Sequence, residues 1–421
     1  MKQLLPRRSL LKAAGGSVAA ANMAGVDVLG SKALAGELRR GQKSVILLWL
    51  AGGASQLETW DPKPGRLTGG PYSKIKTSVP GIEISELLPK MSSRMETTAI
   101  IRSLNTKIAD HGRAYELMDQ GRIGEPSLPL PHMGAMIAHE LAQRDSKVPD
   151  YVAMYTSTEG RRKGSAGFLG ARYNPMFLTD KMIPENIARS PSIEASDHVD
   201  RAELRDFLAS RFVREHASPG IGSHESAYGR VAGLMASDYL FDIENEPQSM
   251  RDHYGPTQFG QQCLIARRLV EAGVPFVKVA RAWWDSHGQN FETHRELCAD
   301  LDQCMSALLD DLKQRGLLES TLVITLGEFG RTPQINGSLG RDHFASAWSC
   351  SLSGCGIRGG TVYGATDEDG QTVADGEMNA SDLFATIFSA VGIEYDKEYM
   401  VGSRPVPLAD FGCQPCQEVL S

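Results

Sequence analysis

Residues 326–344, "LGEFGRTPQINGSLGRDHF", place Glu328, Arg331, Arg341, Asp342 and His343 directly after the apolar run "TLVIT". Carboxylates and an imidazole presented together at the end of a buried strand suit ligation of a divalent cation. A second segment, "RAWWDSHGQNFETH" at 281–294, sets Asp285 and His287 one residue apart, with His294 following. Asp285, His287, Glu328 and His343 are the candidate metal ligands, with Asp342 as a supporting or alternative ligand. Mixed oxygen and nitrogen donors favour zinc or manganese over magnesium or calcium. Two such ions about 3.5–4 Å apart would polarise a phosphoryl-type oxygen. A third segment, "SLNTKIADHGR" at 103–113, puts His111 and Arg113 where a strand should turn into a helix, a position that favours anions. His111 is the candidate acid, base or nucleophile, and Arg113 and Arg331 would grip the anion bidentately. A fourth, "GGASQLETWDPKP" at 52–64, offers a flexible glycine pair, Ser55 as a nucleophile without a G-x-S-x-G elbow, and Asp61 opening a turn.

Each of these residues also has a purely structural reading. Glu328 could pair with Arg331, and Asp342 with Arg341, since arginine is the usual partner of a carboxylate leaving water. Asp285 and His287 could simply fix a loop. His343 could be a satisfied structural donor. Asp110 could cap a helix with His111 merely nearby.

The elements that must position these groups read as alternating strands and helices. Continuous apolar runs at 44–53, 97–103, 148–155, 274–280 and 321–327, with a weaker one at 347–354, have the pattern of strands buried on both faces. Helical spacing at 255–273, 293–316 and 381–392 ends each time at a glycine, Gly273, Gly316 and Gly392, and Ser381 stands as the N-cap of the last. The alternation implies an α/β fold with a mostly parallel sheet covered on both sides. Residues from about 156 to 255 lack strong strands and read as a helical insertion or cap, with helices at 197–216 and 225–243. All four polar segments follow strands, and in open parallel sheets binding groups gather past the carboxyl ends.

Charge and termini bound the function classes. A net charge of −7 lacks the basic surplus of a nucleic-acid binder. The start, "PRRSLLKAAGGSVAAANMAG" with "ALA" at 33–35, reads as a twin-arginine export signal over residues 1–35, which predicts an exported, periplasmic protein. Its apolar stretch is interrupted by Asn22 and Asp27 and is too weak to span a bilayer. Cleavage would remove five positive charges and one negative, leaving −7 − 4 = −11 on the domain at 36–421. The seven cysteines read as buried or terminal thiols, with "CQPC" (Cys413, Cys416) open to a disulfide.

The segments "VILLWLAGGASQLETWDPKP", "ADHGRAYELMDQGR", "WWDSHGQNFETH" and "TLVITLGEFGRTPQINGSLGRDHF" resemble the bacterial family called domain of unknown function 1501. "GCGIRGGTVYGATDEDG" and "SDLFATIFSAVGIE" extend the resemblance over nearly all of the chain after the signal. That family is placed with the alkaline phosphatases and sulfatases. The resemblance implies a three-layer α/β/α sandwich and metal-assisted hydrolysis of phosphate or sulfate esters, with a small anionic ester or an anionic glycan as ligand. It aligns Asp285 and His287 with an Asp/His ligand pair, Glu328 with a later ligand position and His343 with the last ligand histidine. Phe329 stands at a ligand position, Gly52–Gly53 stand where an aspartate is usual, and "ADHGR" stands at the nucleophile turn. The Cys/Ser-x-Pro-x-Arg motif is absent. These departures imply either that His111 and water replace a covalent nucleophile, or that the protein binds sulfated or phosphorylated glycans without turnover.

Overall fold

The computed structural model describes residues 42–143, 146, 148–155, 164–178, 182–184, 194–215 and 237–421. The expected export signal at 1–35 and most of the expected helix at 225–243 lie outside them. Lys43–Ser421 forms one compact unit.

The central sheet has eight strands: β1 (Ser44–Leu50), β2 (Thr98–Leu104), β3 (Tyr151–Tyr155), β4 (Met176–Leu178), β5 (Phe276–Arg281), β6 (Thr321–Leu326), β7 (Trp348–Gly354) and β8 (Thr361–Tyr363). Their order across the sheet is β8-β2-β7-β6-β1-β5-β3-β4. β7 alone runs antiparallel to its neighbours, β2 and β6, and every other pairing is parallel. β1 lies at the centre, with Leu47 in register with Lys278 of β5 and Ile324 of β6. Every β1 residue is buried, the expected consequence of a strand covered on both faces.

Alternate residues of β1 feed two separate cores. Val45, Leu47 and Trp49 pack with α1 (His111–Gln120), α2 (Met133–Leu141) and α7 (Ala380–Ala390). Ile46, Leu48 and Leu50 pack with α5 (Gln258–Glu271) and α6 (Asn290–Gln314). The period of two along the strand thus builds the α/β/α layering directly. Between β4 and α5, α3 covers Ala195–Glu215 and α4 covers Gln248–Tyr254. No helix among the described residues is long and apolar enough to cross a membrane.

Local signals position the ends of these helices. Gly273, Gly316 and Gly392 follow α5, α6 and α7 with φ of 95°, 68° and 74°, conformations open to glycine. Asp110 caps α1, its carboxylate accepting from the Arg113 N–H at 3.0 Å. The cap of α7 is Asn379, not Ser381: the Asn379 side-chain Oδ1 accepts from the Asp382 N–H at 2.9 Å. Ser381 instead donates to the Gly121 carbonyl at 2.8 Å, tying α7 to the end of α1. All seven cysteines are buried free thiols, Cys413 and Cys416 included.

Candidate metal centre

Four loops meet past the carboxyl ends of β1, β2, β5 and β6. The β1 loop must pass very close to its neighbours, and glycine allows it. A Cβ at Gly52 would lie 2.4 Å from the Asp285 backbone nitrogen, and one at Gly53 would lie 2.7 Å from Phe329. Both have positive φ, 107° and 86°. No side chain fits there, so an aspartate at this turn is excluded by packing. The Gly52 N–H instead donates to Glu328 Oε1 at 2.9 Å.

The β5 and β6 loops bring two imidazoles together. His287 Nε2 and His343 Nε2 lie 2.9 Å apart. Both sit beside Asp285 Oδ1, at 3.1 Å and 3.3 Å. His287 Nδ1 is 2.8 Å from Asp342 Oδ1, and His343 Nδ1 is 2.9 Å from the carbonyl of Ala109. Each Nδ1 faces an acceptor only, so each carries the proton and donates it. Each Nε2 is then left with a lone pair, and the two lone pairs point at one another next to a carboxylate. That contact is repulsive unless a proton or a cation lies between them. These donors fit a divalent ion, and the imidazoles are oriented as metal ligands are, by an acceptor on the far nitrogen.

His111 closes the group from the first turn of α1. Its Nδ1 is 2.9 Å from Glu328 Oε1, and its Nε2 is 3.2 Å from Asp285 Oδ2. The hydrogen bonds to Asp285 and Glu328 outweigh partial burial and push the His111 imidazole up to about 9. Burial works against ionisation of Asp285. The bond from His111 and the Arg331 guanidinium overcome it and hold that carboxyl far below the usual range. Ligand atoms of His111, Asp285 and His343 all lie within 4.8 Å of one another. His287, more exposed, joins the same group by its contacts with Asp285 and His343. Glu328 is buried, and its Oε2 has no hydrogen-bond partner. A buried carboxylate oxygen left unmatched is costly, and a cation would satisfy it.

The arginines have other tasks than those expected. Arg331 is fully buried and donates to Gly53 O at 2.9 Å, Arg341 O at 3.2 Å, Gly52 O and Asp285 Oδ1 at 2.6 Å. Those bonds hold Asp285 in place and leave no fork for an anion. It does not pair with Glu328. Arg341 is also fully buried and pairs with Glu58 at 2.8 Å, not with Asp342. Arg113 is exposed, and its side chain makes no hydrogen bond among the described residues. Ser55 is fully buried with its N–H on His294 Nε2 at 2.9 Å and its Oγ accepting from Leu57, which removes it as a nucleophile. Phe329 packs its ring 4.4 Å from that of His343 and 4.9 Å from that of His111, an apolar wall behind the imidazoles.

Two contributors escape a reading of the sequence. Asn336 donates through Nδ2 to the His287 carbonyl at 3.0 Å and to Asp342 at 3.2 Å, while its Oδ1 accepts from Ser338 and Gly340. It binds the His287 and Asp342 loops into one piece, and the only hint was an Asn-Gly turn in the segment that carries Asp342 and His343. Glu58 anchors the loop of Asp342 and His343 through Arg341, a partner 283 positions away.

A family described as "Protein of unknown function (DUF1501)" matches residues 42–420. No curated protein matches the chain. Among solved structures, the lipoteichoic acid synthase LtaP from Listeria monocytogenes is 8% identical with a TM-score of 0.38, covering 89% of this chain and 76% of its own. The PsFucS1 sulfatase from Pseudoalteromonas sp. is 14% identical with a TM-score of 0.39, covering 85% and 69%. A protein in the alkaline phosphatase superfamily from Vibrio parahaemolyticus is 13% identical with a TM-score of 0.37, covering 84% and 67%. Likenesses this distant leave the chemistry to the geometry of the rim itself.

Proposed function

The chain belongs to the family described as "Protein of unknown function (DUF1501)", and from that premise and the rim geometry we propose a divalent-cation-dependent hydrolase of phosphate or sulfate esters. The observation that carries this reading is the pair of Nε2 lone pairs 2.9 Å apart beside Asp285. Asp285, His287 and His343 would hold the ion, with Glu328 Oε2 as a further oxygen donor. When bound, a divalent cation supplies Lewis acidity that polarises the ester oxygen.

The protein's own groups do the rest. Asp342 and Ala109 keep the protons of His287 and His343 on Nδ1. Arg331 fixes Asp285. His111, which the Asp285 and Glu328 carboxylates favour as imidazolium in the cation-free site, would serve as a proton donor to the leaving oxygen as water replaces it on phosphorus or sulfur. In this protonated state it is neither base nor nucleophile. Export through the twin-arginine signal of residues 1–35 belongs to the same proposal, and deletion of Arg7–Arg8 would retain the protein in the cytoplasm on cell fractionation.

A second reading, a binding protein for anionic esters without turnover, is favoured by one observation. Among the described residues, no hydroxyl or thiol is hydrogen-bonded to the side chains of His111, Asp285, His287 or His343. Metal analysis of the purified protein, followed by assay on aryl phosphate and aryl sulfate, separates the two. Bound metal with turnover lost in His287→Ala supports the hydrolase. Stoichiometric metal with no turnover supports the binder, and a protein that takes up no divalent metal overturns both.

A further inference from the structure

We propose that Trp283 is a stacking platform for a ring carried by the ester, which narrows the substrate class to ring-bearing anionic esters. This inference rests on the cation site proposed above. Five tryptophans are present in the chain. Trp49, Trp60, Trp284 and Trp348 are at most 2% exposed, whereas Trp283 is 59% exposed. It lies two residues before Asp285, on the same loop. Its indole makes no hydrogen bond, ring contact or cation–π contact among the described residues.

Its backbone makes that exposure informative. Trp283 has φ of 78°, a left-handed conformation that a bulky aromatic residue rarely adopts. The loop is pinned on both sides of it: the Ala51 N–H donates to the Arg281 carbonyl at 2.9 Å, and the Trp284 N–H donates to the Ala51 carbonyl at 3.1 Å. Trp284 itself is buried with its ring 5.3 Å from that of His294. A glycine would occupy position 283 without strain, yet the position holds the largest side chain, facing water. Strain of this kind gathers at ligand clamps. The other imidazole-bearing loop repeats the pattern, with Leu339 at φ of 54° and 61% exposed. Both loops that carry the cluster therefore offer an exposed apolar side chain on a constrained backbone. An indole face is a rigid, π-rich surface that packs against an aromatic ring or the C–H face of a sugar ring, while a short alkyl group leaves it uncovered.

The four buried tryptophans make the test selective, because acrylamide quenching reads Trp283 alone. Trp283→Phe should abolish the quenchable fraction and so assign it. The probes are phenylphosphonate, the 6-phosphonate of glucose and methylphosphonate, none of them hydrolysable, added to the zinc-loaded protein. Phenylphosphonate or the glucose phosphonate should shield Trp283 from acrylamide, and methylphosphonate should not. The ring that shields better names the aryl or the sugar source. Trp283→Ala should weaken the shielding ligand about 10-fold relative to methylphosphonate by calorimetry. Phosphonates that bind while Trp283 stays fully quenchable, with affinities unchanged in Trp283→Ala, overturn the stacking role and leave the cation site standing. Failure of every phosphonate to bind the metal-loaded protein overturns the site and the platform together.

Discussion

Two charged clusters lie near the carboxyl rim of the sheet, and both contain carboxylate, arginine and histidine drawn in part from residues 281–294 and 326–344. In the buried one, Glu58 and Arg341 are fully enclosed. Arg341 donates to Glu58, Thr68 O, Thr332 O and Pro333 O. His294 donates from Nδ1 to Asn290 O at 3.0 Å and accepts at Nε2 from Ser55. Burial pushes the His294 imidazole down to about 4, so it is neutral. In the half-exposed cluster around Asp285, two imidazole nitrogens oppose each other and Glu328 Oε2 has no partner. The residue types are the same, but only in the buried cluster are the carboxylate, guanidinium and imidazole each matched to a partner of the right kind. A matched cluster is scaffold. A cluster with surplus lone pairs is a place where a cation would be stabilised.

The largest expected effect tests the scaffold side. Glu58→Ala leaves the Arg341 guanidinium buried without its anion. We predict a loss of about 3–5 kcal/mol in a denaturant titration, the usual result of breaking a buried pair from one side. A midpoint that hardly moves would mean the two clusters do not differ in kind.

The next effect tests the rim. In chelated protein, His343→Ala should cost little stability, since it removes one of two opposed lone pairs. With cation at about 100 times its Kd, the wild-type protein should gain about 2.7 kcal/mol, and His343→Ala should gain nothing. Equal cation stabilisation in both proteins, read from thermal unfolding with and without zinc, would assign the ion elsewhere.

Much of the frame was legible because buried parallel strands write themselves as uninterrupted apolar runs, as "SVILLWL" does, and because helix ends here fall at glycines. Strands such as β8 were not, since three half-buried edge residues leave no periodic mark. The order of strands was likewise hidden, because β1 meets partners more than 200 positions away through backbone bonds that carry no side-chain signature. Within the rim, Asp285, His287, His343 and His111 stood out as polar groups after strands. The partners of the arginines did not. Arg331 and Arg341 each have a carboxylate close in sequence, but the fold turns them toward Asp285 and Glu58. His287 and His294 share one motif, and only burial separates the ligand candidate from the structural residue.

A smaller effect concerns the support of the ligands. The Asp342 carboxylate accepts from His287 Nδ1, and that bond lowers the carboxyl below its usual range. Asp342→Ala should leave Asp285, His287, His343 and Glu328 in place and reduce cation affinity about 10–100-fold, the common cost of losing such a support. Zinc competition against a chromophoric chelator measures it. A loss as complete as that of His343→Ala would promote Asp342 to a direct ligand, and no loss would detach it from the site.

The smallest effect is a difference in sign between the two clusters. In chelated protein, His111 has a folded pKa raised to about 9 by hydrogen bonds to Asp285 and Glu328. Its contribution is complete below the unfolded value of about 6.5 and is lost as pH rises through about 9, because the folded state holds the proton more tightly in that window. His294 has a folded pKa lowered to about 4, chiefly by burial. Its contribution is complete above about 6.5 and is lost as pH falls toward 4, because only the unfolded state takes up the proton there. The rim cluster should therefore weaken the protein on the alkaline side and the buried cluster on the acid side. Solvent screening keeps the His111 part modest, since its side chain is 32% exposed. Histidine NMR titration resolves the two directly, and His111→Gln should flatten the alkaline fall in stability. If His111 titrates near 6.5, the paired carboxylates are not holding its proton, and its role as the proton donor of the rim goes with it.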